Sequence, residues 1–523
     1  MKKKQIENID TVSNPELVFG IVAPIGVNID LVMDSLNSEL TNVGYRVTPI
    51  KITSILEMPP FNISVDNSSY FNRYKSLISG ADKLCEKFSS RDFLAKLAIV
   101  KIREERQKST GNINSPDLGR AYVVRQFKRK KEIDLMRKTY GRKFIQISIY
   151  LDEASRRDWL TKKIGEYKAS TKTDVDCETE AIKLIQIDAS EVDQRYGQEV
   201  SEIFHRGDLF VDSGNKSIVE ASIRRFVRAL FGYNGVSPTK AEYGMYAAAA
   251  ASLRSIDLSR QVGAAIFSPE AEVLTMGCNE VPKAFGGTYW EGEVYQTHRD
   301  FEEGLDANQL RKTVIIKDIL ERLDKEGFLL KKYKKDLDSG RLIESLIKHE
   351  AIKESKLMDI IEFGRIIHAE MSAITDAART GKSVKDATMF VTTFPCHMCA
   401  KHIVSSGINR VVFLEPYPKS YAQKLHYDSI TFEKGESHQK VLFEPFLGIS
   451  PRRYRDIFEK GKRKDGEGKS MDWYEGAPMP RIEDRTASYI ENEDEASLPI
   501  ALVKKRSPTQ ASARVARRSR QAS

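Results

Sequence analysis

Cysteine is scarce. The 523 residues contain five: Cys85, Cys177, Cys278, Cys396 and Cys399. An odd number without a regular framework excludes a disulfide-stapled secreted scaffold. Long apolar runs are absent as well, and none approaches the roughly 18–20 residues that a membrane-spanning helix needs. The basic start Met1-Lys2-Lys3-Lys4-Gln5 leads into no apolar stretch directly, so no secretory signal is read and a cytoplasmic location is the expectation. A strong excess of one charge is missing too: 83 Lys and Arg oppose 74 Asp and Glu, a net charge of +9. Such a surplus suits a nucleic-acid partner, but it equally suits an enzyme that handles phosphates, with a basic C-terminal tail carrying part of it. With 41% hydrophobic and 30% charged residues, the composition is that of a globular protein, and the length implies two domains with additions.

The first 14 residues read as a flexible leader. Leu17–Val22 reads as a buried strand, followed by the turn Ala23-Pro24-Ile25-Gly26, a helix over 30–40 and a second strand over 45–50. Strand, turn, helix and strand in that order open a parallel α/β sheet. Further strands are expected at 121–124, 144–150 and 209–212, with helices over 153–167 and 218–231. Gly232-Tyr233-Asn234-Gly235-Val236-Ser237-Pro238 marks a domain boundary, giving a first domain over 1–235. A second, over 240–460, begins with a helix through Ala247–Ala251 and a hairpin of 263–267 with 272–276, turning at Ser268-Pro269. A charged, helical insertion spans about 284–364, then helix 366–379, strand 388–392, helix 397–406 and strand 410–414. Residues 461–523, with Arg514, Arg517, Arg518 and Arg520, read as a disordered basic tail.

Two strings carry chemistry. His368-Ala369-Glu370 opens one helix, and Pro395-Cys396-His397-Met398-Cys399 opens another. Cys396 and Cys399 are three apart, so their sulfurs face the same way. Zinc favours imidazole nitrogen and thiolate sulfur, and three protein ligands (His368, Cys396, Cys399) leave a fourth position for water, the mark of a catalytic site. Helix N-termini favour thiolate over thiol. Zinc lowers the pKa of such a water to near neutrality. Glu370 is placed to move protons rather than to bind metal. H-x-E with P-C-x-x-C is the signature of zinc deaminases, in which the water attacks C4 of cytosine and the glutamate serves the ring N3 and the departing amine. The competing reading is a closed zinc staple with His397 or His402 as fourth ligand.

The stretch Gly20-Ile21-Val22-Ala23-Pro24-Ile25-Gly26-Val27-Asn28 is a degenerate phosphate loop. Val27 stands where such a loop has lysine and Asn28 where it has Ser or Thr, so phosphoryl transfer is not expected. The context of strand, loop and helix still offers an anion site. Three readings stay open: an inert scaffold, a regulatory domain that senses a nucleotide, or an active NTPase. Arg156-Arg157 stands where a kinase-like lid would begin and could touch phosphate.

Residues 240–430 resemble the deoxycytidylate deaminase family of the cytidine-deaminase-like fold. The resemblance rests on Arg260-Gln261-Val262-Gly263-Ala264-Ala265-Ile266, Gly277-Cys278-Asn279-Glu280-Val281-Pro282 and the two metal strings. It implies a substrate-sugar contact for Asn279 and a mixed sheet with zinc between two helix N-termini. Glu280 departs from that family's glycine. Asn279-Glu280-Val281-Pro282, Glu415-Pro416-Tyr417-Pro418-Lys419-Ser420 and Tyr196-Gly197-Gln198 extend the resemblance to bacterial anti-phage dCTP deaminases. The implied fold is α/β throughout: an N-terminal P-loop kinase-like parallel sheet, then a cytidine-deaminase-like α/β/α domain. The implied activity removes dCTP, and with it dCMP, during phage infection. Implied partners are the nucleotide substrate, further copies of the chain in a homo-oligomer, and an inhibitor or regulator that restrains it. The alternatives are a housekeeping dCMP deaminase and a polynucleotide cytosine deaminase. For the latter, Tyr289, Trp290, Tyr295 and Phe394 are the stacking candidates.

Overall fold

The computed structural model describes residues 14–167, 172–189, 198–293, 297–353, 355–417, 420–474, 476–482 and 488–505. The expected leader, Tyr196, Gly197, Tyr295, Pro418, Lys419 and the four tail arginines lie outside them. The chain forms two compact units, Met1–Pro238 with Leu447–Ser523, and Thr239–Phe446.

The first unit is built on β1 (Leu17–Val22), β2 (Arg46–Lys51), β3 (Arg120–Arg125), β4 (Phe144–Tyr150) and β5 (Leu209–Asp212). Their order across the sheet is β5-β4-β1-β3-β2, and every pairing is parallel. LVFGIV is apolar on both faces, as a sheet covered on both sides requires, and FIQISIY is buried nearly throughout, its Gln146 and Ser148 being hydrogen-bonded. Successive side chains of β1 alternate between two cores: Val18 and Val22 enter one, Leu17, Phe19 and Ile21 the other. The first core is closed by the helices Tyr70–Lys87 and Phe93–Thr110, the second by Ile29–Asn42 and Lys216–Leu230.

The C-terminal region departs from expectation. The sequence pattern places residues 447–460 in the second domain and 461–523 in a disordered tail. Instead, a short strand at Gly448–Ile449 pairs antiparallel with the edge strand β5. Nearby, Arg453 Nε donates to Asp208 at 3.1 Å, both side chains being buried. A helix over Tyr489–Lys505 seats Glu493 against Arg106. These described segments are held by ion pairs with residues hundreds of positions away, which no local periodicity announces.

The second unit carries β6 (Gly263–Phe267), β7 (Val273–Cys278), β8 (Thr388–Thr393), β9 (Arg410–Glu415), β10 (Ile430–Thr431) and β11 (Val441–Pro445). Their order is β10-β11-β9-β8-β6-β7. Strand β6 runs antiparallel to β7 and β8, and the remaining pairings are parallel. The opening helix, Lys240–Ser252, has a capping box made by Thr239 and Glu242. Between β7 and the helix Ala369–Arg379 lies the helical insertion, whose largest piece is Ala307–Lys325, and a bridge between Glu280 and Ile367 closes its base. Among the described residues no helix is long and apolar enough to cross a membrane.

Candidate metal centre

His368 and Cys396 are the N-cap residues of the helices Ala369–Arg379 and His397–Ser405. N-cap positions usually favour Ser, Thr, Asp or Asn, whose side chains bond back to the first turn. Neither His368 nor Cys396 makes such a cap bond, so both side chains are free to point at a common centre. Cys399 follows one turn into its helix. His368 Nδ1 lies 3.3 Å from Cys396 Sγ and 3.4 Å from Cys399 Sγ. All three donor atoms lie within 4.8 Å of one another, and both cysteines are buried. No fourth His, Cys, Asp or Glu joins the group among the described residues, so neither His397 nor His402 closes the shell.

One close approach fixes this geometry. Gly277 in β7 packs against the first turns of the Ala369–Arg379 helix, where an added Cβ would fall 2.4 Å from the Ala369 carbonyl oxygen and 2.5 Å from the Ala373 nitrogen. Only glycine lets strand and helix meet so closely.

The electrostatics follow from the same crowding. The hydrogen bond from Cys399, joined by His368, holds the Cys396 thiol well below the usual thiol range, which favours its thiolate. That thiolate raises the metal-free His368 imidazole to about 9. Glu370, 4% exposed, has its carboxyl pushed up by burial, with Cys396 adding to the effect. One imidazole nitrogen, one sulfur favoured as the thiolate and a second sulfur beside it form a donor set that fits zinc.

The centre opens on a cavity of about 170 Å³ whose wall includes His368, Glu370 and Cys396. Asn279 also lines it, yet both ends of its amide are engaged within the protein. Its Nδ2 donates to Asp257 (2.6 Å) and the Arg260 carbonyl (2.8 Å), and its Oδ1 accepts from the Val262 N–H (2.7 Å). Asn279 thereby shapes the loop that carries Asp257 and Arg260 to the cavity. Those two residues, with Ile361, Thr393 and Tyr417, are wall positions that sequence reasoning had not singled out as a site. Arg260 pairs with Glu415 at 3.0 Å and stands 5.3 Å from the Tyr417 ring. Its only signal was its place at the head of the string Arg260–Ile266. Of the aromatic candidates, Phe394 lines the cavity. Trp290 does not, lying under the Arg254 guanidinium at 3.9 Å, and Tyr289 is likewise absent from the wall.

The degenerate phosphate loop is split by the structure. Gly20 lies inside β1, where an added Cβ would meet the Phe144 ring at 2.7 Å, so it is a packing position outside the loop. Val27 is buried in the core, and Asn28 caps the following helix by accepting from the Leu31 N–H. Gly26 takes φ +90° at the turn, beside Arg156. Arg157 faces Glu178 at 3.4 Å.

Comparison with known proteins bears on the second unit. Residues 238–415, about one third of the chain, match the model of the cytidine and deoxycytidylate deaminase zinc-binding region, a part of hydrolytic deaminases. The deoxycytidylate deaminase of Enterobacteria phage T2 is 54% identical over 54 residues, 10% of this chain and 29% of the relative. That of phage T4 is 54% identical over 54 residues, 10% and 28%. The ComE operon protein 2 of Bacillus subtilis is 36% identical over 80 residues, 15% and 42%. The chain therefore spans less than half the length of these curated relatives. Among solved structures, the dCMP deaminase of cyanophage S-TIM5 in complex with dCMP and dUMP has a TM-score of 0.22 and 16% identity, covering 40% of this chain and 98% of that one. Zinc is the metal of the matched region, and the group His368, Cys396 and Cys399 could hold it.

Proposed function

We propose that the second unit hydrolyses the 4-amino group of deoxycytidine nucleotides, dCTP and with it dCMP, giving the deoxyuridine nucleotide and ammonia. The observation that carries this reading is the cluster of His368 Nδ1, Cys396 Sγ and Cys399 Sγ, of which His368 and Cys396 line a cavity together with Glu370. Zinc held by these three residues supplies a Lewis acid that makes water nucleophilic near neutral pH. Glu370 would take a proton from the attacking water and place it on ring N3, then take the proton of the new C4 hydroxyl and pass it to the amine as the C4–N bond breaks, leaving the C4 carbonyl and ammonia. Its burial suits that task, because a carboxyl whose proton affinity is raised can both accept and return a proton. Phe394 and Tyr417 offer flat faces to the base. Asn279 is assigned the sugar contact from its place in the cavity wall, where its amide also holds the neighbouring loop.

Emptying the dCTP pool would starve phage DNA synthesis, which gives the activity an antiviral use. A cytoplasmic homo-oligomer restrained by an inhibitor until infection is the state consistent with so costly an activity. A housekeeping role on dCMP is the second reading, favoured by the names of the phage relatives. In the first unit, the all-parallel order β5-β4-β1-β3-β2 and the loop after β1 support a degenerate kinase-like regulatory domain. Loss of the loop lysine speaks against phosphoryl transfer there.

The test is purified protein incubated separately with dCTP, dCMP, CTP, cytidine and single-stranded DNA, with ammonia and uracil products followed. Product from dCTP supports the reading. Product from dCMP alone favours the housekeeping role, product only from DNA a polynucleotide deaminase, and no product anywhere from the zinc-loaded protein contradicts deamination.

A further inference from the structure

A carboxylate taken out of water is costly unless its oxygens are bonded and its charge is matched. Glu280, on the loop after β7, is 1% exposed, and both conditions are met by parts of the chain that lie apart in sequence. Its Oε2 accepts from the Ile256 N–H at 3.3 Å and lies 4.0 Å from Arg299 Nε. Its Oε1 accepts from the Val281 N–H at 2.9 Å. Its backbone N–H donates to the Ile367 carbonyl at 3.3 Å, and the Ile367 N–H donates to the Glu280 carbonyl at 3.1 Å.

These contacts lead to three parts of the second unit. Ile256 precedes Asp257, and residues 255–260 form the loop that carries Asp257, Ser259 and Arg260 to the cavity. Ile367 precedes the metal donor His368. Arg299 belongs to the insertion, at the N-cap of the helix Asp300–Glu303. Its side chain is 4% exposed, and its Nε has no hydrogen-bond partner among the described residues. Its other carboxylate neighbour, Glu291, stands 3.8 Å away on the surface, where water screens the pair. Glu280 is therefore the buried counter-charge of Arg299.

We propose that Glu280 is a positioning residue: through it the insertion sets the loop 255–260, and thereby the affinity of the cavity for its nucleotide. The two backbone bonds to Ile367 are available whatever side chain stands at position 280, so His368 keeps its place. The bond to Ile256 depends on the carboxylate. Metal binding thus runs through the backbone of this residue and substrate binding through its side chain. Loss of the carboxylate also leaves Arg299 as an uncompensated buried cation, which loosens the insertion from the loop. That the loop serves a nucleotide rests on the deaminase reading; that the insertion holds the loop through Glu280 does not.

The experiment is hydrogen exchange, followed by mass spectrometry on the zinc-loaded full chain, together with steady-state kinetics on dCTP and dCMP. A hydrogen bond to a charged group is worth enough that Glu280→Ala should speed exchange over 255–262 roughly tenfold or more. Exchange over 366–372 and the zinc content should stay as in the wild type. Arg299→Ala should speed exchange over 255–262 as well. In turnover, Glu280→Ala should raise KM by roughly the same factor with kcat little changed. Glu280→Gln, whose amide oxygen accepts one of the two N–H groups, should recover part of both effects. It also decides the matter should the alanine variant not fold. Asp257→Ala combined with Glu280→Ala should cost less than the sum of the two, because both act through one loop. The proposal is overturned if exchange over 255–262 is unchanged in the Glu280 variants, if kcat and zinc content fall while KM stays, or if the Asp257 and Glu280 effects add. A wild type without turnover whose exchange follows the expected pattern would refute the deaminase reading and support the coupling of insertion to loop.

Discussion

Arg106 Nη1 lies 2.6 Å from Glu493 Oε2, although 387 positions separate them in the chain, and neither side chain has any exposed surface. Glu16 completes the cluster, accepting from Arg106 Nε at 2.9 Å, and three tyrosine hydroxyls serve the two carboxylates: Tyr122 and Tyr489 on Glu16, Tyr140 on Glu493. Removing one partner of a buried pair leaves an uncompensated charge, at a cost of roughly 3–5 kcal/mol. Because Arg106 keeps Glu16, Glu493→Ala should lower stability by about 3 kcal/mol, read as a drop in the urea midpoint. An unchanged midpoint would mean that the Tyr489–Lys505 helix is not part of the first unit's fold.

His205 should make the first unit acid-sensitive. Burial holds its imidazole down to about 4, against about 6.5 in an unfolded chain. Between those values the unfolded state binds more protons, so stability rises with pH through the window from about 4 to 6.5 and the benefit is lost below it. The full effect is about 3 kcal/mol. Urea unfolding of metal-free protein at pH 7 and pH 4.5 should show this loss, and His205→Leu should shrink it. Equal losses in both proteins would remove His205 as the cause.

Gly277→Ala should disturb the centre without touching a ligand. The new methyl would press on backbone atoms of the Ala369–Arg379 helix, which cannot rotate away as a side chain could. Overpacking of this kind costs roughly 1–3 kcal/mol, and a displaced His368 should weaken zinc binding by about tenfold or more, measured by competition with a chromogenic chelator. Unaltered zinc affinity would show that strand and helix can separate there.

Strands β1 to β9 were legible as short runs rich in apolar residues and bounded by turn residues, whereas the short β10 and β11 were not, and the metal group was legible because its donors sit in two short strings. What escaped the sequence has identifiable physical causes. The helix Phe93–Thr110 buries Phe93, Leu94, Ala95, Leu97, Ala98 and Ile99, apolar residues on nearly every side, so it lacks the one-sided pattern that marks a helix. Arg260 and Tyr417 reach the cavity from loops, where spacing says nothing about direction. Gly20 fitted both the strand Leu17–Val22 and the head of a phosphate-loop string, and its packing against Phe144 decides for the strand. The C-terminal helix was invisible because its anchor, Glu493, acquires meaning only beside Arg106.

Each metal donor should be separately needed. Cys399→Ser replaces a sulfur at the first turn of its helix with a harder and poorer zinc ligand. The variant should bind zinc at least tenfold more weakly, and excess zinc should restore part of any activity. Full zinc occupancy at wild-type affinity would mean that Cys399 is not a ligand.

The most direct test joins metal content to turnover in one pair of proteins. Glu370→Ala should keep one zinc per chain, because Glu370 lies outside the donor group, while deamination of dCTP and dCMP falls by at least 10²–10⁴-fold, the usual share of a general acid–base group. A Glu370→Ala protein that holds zinc and deaminates at the wild-type rate would contradict the role assigned to this carboxylate and the mechanism built on it.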